Sequence, residues 1–159
     1  QITVRRPTTL KAIIMDILSY AILAFCVLEM LNVAILYFTP TSKRGNGMGA
    51  FNAYEKAKDD PQVFALVSYL VNWVAGTKLI FILLLIGIAF VGSTPLKLVS
   101  VAGLIISIAT FYWRLYPQIR QMDAEGQISP KGYSRTLAIM IAAFMTVFAI
   151  VLGIALTQV

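Results

Sequence analysis

Two charged side chains stand where charge is expensive. Glu29 lies within the apolar segment 12–38, and Lys78 within VNWVAGTKLIFILLLIGIAFV (71–91). An ionised group near the middle of a bilayer costs roughly 3 kcal/mol on insertion scales, so each of these needs a partner. Helical geometry supplies one. At about 1.5 Å per residue, Glu29 sits roughly 26 Å and Lys78 roughly 20 Å from the same membrane side, and a lysine stem covers the difference. The spacing therefore reads as an intramembrane ion pair. Such a pair either fixes the register of two helices or responds to ions and protons. Ser19, Cys26, Glu29 and Asn32 share an approximate helix face, and Asn72 precedes Lys78, so Asn32 and Asn72 would extend the pair into a polar path. Asp16, near the end of its segment, reads as interfacial.

Little else in the chain offers reactive chemistry. Histidine is absent, which removes the commonest general base and most haem and zinc sites. Cys26 is the single cysteine, so no intrachain disulfide forms. The remaining Asp, Glu, Ser and Tyr residues show no spacing of a metal site or a nucleophile–base pair. The expectation is no catalytic residues, no metal and no enzyme. RGNGMGAF (44–51) lacks the strand and lysine of a phosphate-binding loop and reads as a mobile loop. QMDAEGQIS (121–129) places Gln121 and Gly132 where a calcium loop needs its first ligand and its bidentate glutamate, so calcium is declined. The sequence names no cofactor and leaves a lipid or a hydrophobic pigment, such as a carotenoid, or a quinone, open as occupants of the grooves.

The elements that must position the pair are set by composition. Of the 159 residues, 59% are hydrophobic and 13% charged, far too apolar for a water-soluble domain of this size. Apolar segments at 12–38, 63–91, 96–116 and 136–159 each exceed the ~20 residues that cross a bilayer core. Helix is the only open option there, because nothing in hydrocarbon satisfies an unpaired backbone. The apolar run after QITVRRPTTLK is too long for a signal peptide. Thr39-Pro40, GSTPLK and Pro117 mark the breaks. The fold class is all-α: one domain of four transmembrane helices, arranged as two tandem hairpins.

Two further patterns concern neighbours. Ser100, Gly103, Ser107, Thr110 and Arg114 fall on one face of the third segment, and Ala138, Ala142, Thr146, Ala149 and Gly153 on one face of the fourth. Small residues let helices approach closely, so these stripes read as packing faces within the bundle, with an oligomer seam or ligand groove as the alternatives. Trp113 and Arg114, in FYWRLY, read as an interfacial anchor.

The two longer connections fall on one side, the short turn and both termini on the other. Lys43, Arg44, Lys56, Lys58, Arg114, Arg120, Lys131 and Arg135 stand against Arg5, Arg6, Lys11 and Lys97. The excess of basic residues puts the long connections in the cytoplasm and the termini outside a plasma or inner membrane. The net charge of +6 then serves headgroups and orientation, not nucleic acid. Two functions fit: an accessory subunit that assembles with copies of itself or other membrane proteins, or a small transporter or channel subunit with Glu29 and Lys78 on its path.

Overall fold

The computed structural model describes residues 16–157, of which 82% are helical, with no strand among them. In order these are α1 (Ile17–Phe38), a 3-10 turn (Met48–Ala50), the short α2 (Asn52–Ala57), α3 (Pro61–Val91), α4 (Thr94–Ala124) and α5 (Tyr133–Leu156). Helices α1, α3, α4 and α5 are the ones long and apolar enough to cross a membrane. The protein is an all-α, four-helix membrane bundle.

The segment ends are set by capping chemistry. Asp60 accepts bonds from the N–H groups of Gln62 and Val63, with Pro61 in the first turn, so α3 begins before the apolar run does. Residues 12–15 and 158–159 lie outside the described residues. The largest correction is at Pro117, which does not end the third segment: α4 runs on to Ala124. A helix-interior proline deprives the carbonyl four residues earlier, here that of Trp113, of its donor. Trp113 is exposed, and at a membrane interface water can satisfy the freed carbonyl.

Packing follows the two hairpins. Helix α1 lies against α3 and α4 against α5, whereas α3 and α4 barely touch despite the short turn that joins them. The buried face of α1 carries Leu18, Ile22, Cys26, Val33 and Leu36, and that of α3 carries Val71, Ala75, Ile82, Leu85 and Ala89. Both sets step by three and four residues, the period of one helix face. At the end near the short turn, Val101, Leu104 and Phe148 close the core, and the Ser19 hydroxyl donates to the Ala89 carbonyl at 2.9 Å. That half of the bundle is closed around α1 by these contacts, with a groove left between α3 and α4.

A second ion pair ties this closed end. Asp16 caps α1 by accepting from the Ser19 N–H at 2.8 Å and accepts from Lys97 Nζ at 2.8 Å. Burial pushes the Asp16 carboxyl up, but the bonds from Lys97 and Ser19 outweigh it and hold the group below its ordinary value. Lys97 is buried, so its charge is spent on Asp16.

At the opposite end the two long connections meet. The Asn52 N–H donates to the Gln127 carbonyl at 2.9 Å, and the Ser129 N–H to the Ala50 carbonyl at 2.8 Å. Both connections therefore lie on one side of the bundle. The glycine-rich 44–51 segment packs into this cap. Gly45 and Asn46 take positive φ of 60°, and a Cβ on Gly47 or Gly49 would run into the Ser42 or Thr41 carbonyl. The glycines are there for close backbone approach.

Candidate functional site at the Glu29–Lys78 pair

Glu29 and Lys78 stand on the buried faces just described: Glu29 between Cys26 and Val33 on α1, Lys78 between Ala75 and Ile82 on α3. Since α1 and α3 pack face to face, their side chains have to meet. Lys78 Nζ lies 2.7 Å from Glu29 Oε2 and donates as well to Asn32 Oδ1 at 2.6 Å. Asn32 in turn donates through Nδ2 to the Gly45 carbonyl at 2.6 Å. One network thus links α1, α3 and the glycine-rich cap. Such charge-assisted bonds are short and about twice as strong as neutral ones.

The pair is not sealed. The Lys78 and Glu29 side chains retain 31% and 29% exposure. Three clefts reach the network from different sides. One of about 650 Å³ runs between α1, α4 and α5, from Lys43 and Arg44 down to Phe25 and Phe144, with Glu29 and Asn32 on its wall. A second of about 490 Å³ is lined by Lys78 and Asn32 together with Phe111 and Ile141. The third, about 380 Å³, opens outward past Trp73 and Phe81 to Glu29 and Lys78. Of the three ammonium donors of Lys78, two are engaged by Glu29 and Asn32.

Other expected site residues lie elsewhere. Asn72 is exposed on α3 and does not join Glu29, Lys78 and Asn32. Six residues before Lys78, it falls about 120° away around a helix of 3.6 residues per turn. Neither small-residue stripe lies in the buried core, although the Ala138 carbonyl accepts from the Tyr112 hydroxyl of α4 at 2.6 Å. Ser100, Gly103 and Ser107 line a shallow groove beside Phe81 and Ile88 of α3, and a Cβ on Gly103 would meet nothing within 4 Å. Ala149 and Gly153 point outward from α5, with open space over Gly153 as well. The bulky Phe144, Phe148 and Leu137 make the inward face of α5 instead. Trp113 and Arg114 are both exposed at the end of the bundle with the long connections, the guanidinium 4.9 Å from the indole ring.

Sequence reasoning missed two charged clusters. Asp16 and Lys97 are 81 residues apart, although the topology already placed both on the side of the short turn. Asp123 accepts from the N–H groups of Gly132 and Ser134, each at 3.0 Å, and from the Ser134 hydroxyl at 2.6 Å. It thereby caps α5 from the neighbouring helix, a role no local pattern announces.

Fold and site together define a multi-pass integral membrane protein with an internal ion pair between its first two spanning helices. No protein family, curated protein or solved structure matches this chain.

Proposed function

We propose that the protein is a non-catalytic membrane subunit that works in an assembly, with copies of itself or with other membrane proteins. One observation carries this reading: Ala142, Thr146, Ala149 and Gly153 form an outward stripe on α5 that nothing among the described residues covers. Lipid tails are as apolar as leucine, so hydropathy gives no reason for small residues there. Close approach of another helix does. Ala149→Leu is expected to weaken assembly at least tenfold, about 1.4 kcal/mol, with helicity unchanged. Ala143→Leu adds the same bulk at an exposed position about 120° around the helix from Ala149 and is expected to leave assembly intact. The measurement is native mass in nanodiscs together with crosslinking in the source membrane. A wild-type chain that is monomeric and crosslinks to nothing ends this reading.

A second reading, a small transporter or channel subunit, is favoured by the clefts that converge on Lys78. Its path is blocked in this conformation by the apolar core of Ile22, Ile82, Leu85 and Phe148, which conduction would have to open.

In either role the proposed placement is a plasma or inner membrane, long connections cytoplasmic and termini outside, from the excess of basic residues. Pairing of Lys97 with Asp16 weakens the opposing charge further. Single cysteines at Ala53 and Gln127, both exposed, in a Cys26→Ala background are expected to resist an impermeant thiol reagent on intact cells and to react after lysis. Labelling of both from outside would invert the orientation.

A further inference from the structure

The cleft between α1, α4 and α5 has a basic mouth and an apolar wall. Lys43 and Arg44 stand at its mouth, and neither side chain has an acidic partner among the described residues. The one acidic residue along the cleft is Glu29, whose charge is already met by Lys78. Below the mouth the wall turns apolar, with Ile35, Ile108, Met140 and Phe144.

Depth identifies the occupant. From Ile35 to Phe25 along α1 is roughly 15 Å, and from Tyr133 to Phe144 along α5 roughly 17 Å. The hydrocarbon core of a bilayer is about 30 Å thick, so the cleft is about one leaflet deep. It begins in the long connections, where headgroups lie, and ends where the closed half of the bundle begins. Its volume of about 650 Å³ lies within the range of ligand pockets. A water-soluble anion would leave the apolar wall bare, and a neutral lipid would leave the two cations unmet.

We infer that this cleft binds one anionic phospholipid, its phosphate at Lys43 and Arg44 and an acyl chain along the groove toward Phe25 and Phe144. The lipid is a ligand of the single chain, so this site stands or falls independently of the assembly described above. Thr136 and Asn46 at the mouth supply further polar contacts for a headgroup, and Thr110 lines the wall below them. Near a membrane surface each Lys or Arg contributes about 1 kcal/mol toward anionic lipid.

The test is native mass spectrometry of the full chain released from nanodiscs of equimolar phosphatidylglycerol and phosphatidylcholine. One phosphatidylglycerol per chain is expected to remain after annular lipid is stripped. Replacing both cations, Lys43→Gln with Arg44→Gln, is expected to lower the preference for phosphatidylglycerol roughly 30-fold, the product of about two surface charges. Both residues are exposed, so the variant tests binding without disturbing the core. Thr110→Phe, which fills the groove, is expected to expel the retained lipid of either kind. Equal retention of the two lipids by the wild-type chain, or an unchanged preference in the Lys43/Arg44 variant, overturns the proposal. So does a chain that sheds all lipid and dimerises through the cleft.

Discussion

Lys78→Met is expected to cost about 3 kcal/mol of stability or more, the loss typical of stranding one member of a buried ion pair. It takes from Glu29 its one ion-pair partner among the described residues, and from Asn32 Oδ1 the ammonium it accepts from. Glu29→Gln is expected to cost somewhat less, since Lys78 keeps its bond to Asn32. The double variant should be milder than the sum of the two, because neither charge is stranded. Unfolding of all four proteins in the same detergent reads the coupling directly. Additive losses would mean that the pair contributes no net coupling. The same set separates the two functional readings. An assembly subunit whose pair sets register keeps its partners in the double variant, whereas a transporter assembles and loses flux.

Removing the Asp123 carboxylate is expected to have the next largest effect. Asp123→Ala takes away the acceptor for the Gly132 and Ser134 N–H groups and the Ser134 hydroxyl at once. The N-cap of α5 is Gly132, which has no side chain with which to replace it. Hydrogen bonds to a charged group are worth ~1.5–3 kcal/mol, and some of the released donors will find water at this end of the bundle, so a net loss of about 3 kcal/mol follows. Hydrogen exchange should show the first turn of α5 losing protection while α1 and α3 keep theirs. Asp59→Ala, in the exposed turn before α3, is the control and should stay within about 0.5 kcal/mol of wild type. Equal stability of the Asp123 and Asp59 variants would remove Asp123 from its capping role.

The amino-acid sequence by itself determined the number of spanning helices, their helical character and the hairpin order. It also set the level at which Glu29 and Lys78 sit. These follow from local quantities: the length of an apolar run, the rise of a helix and the cost of a lone charge in hydrocarbon. The ends of the helices were less legible, because water at the interface lets Pro117 stay inside α4 and because Asp60 starts α3 ahead of its apolar run.

Only the tertiary structure decided which way each face points. In water a polar stripe marks the outside of a helix. In lipid the surroundings are as apolar as the core, so the stripe of Ala149 and Gly153 carries no such label. It turned outward because Phe144, Phe148 and Leu137 on the opposite side of α5 fill the space toward α1 and α4. The sparse contact between α3 and α4, beside which one of the clefts reaches Lys78, likewise depends on how two hairpins seat against each other. So do the contacts of Asp123 with Ser134 and of Asp16 with Lys97. Each joins residues whose approach is fixed by the packing of whole helices, and spacing along one helix does not encode it.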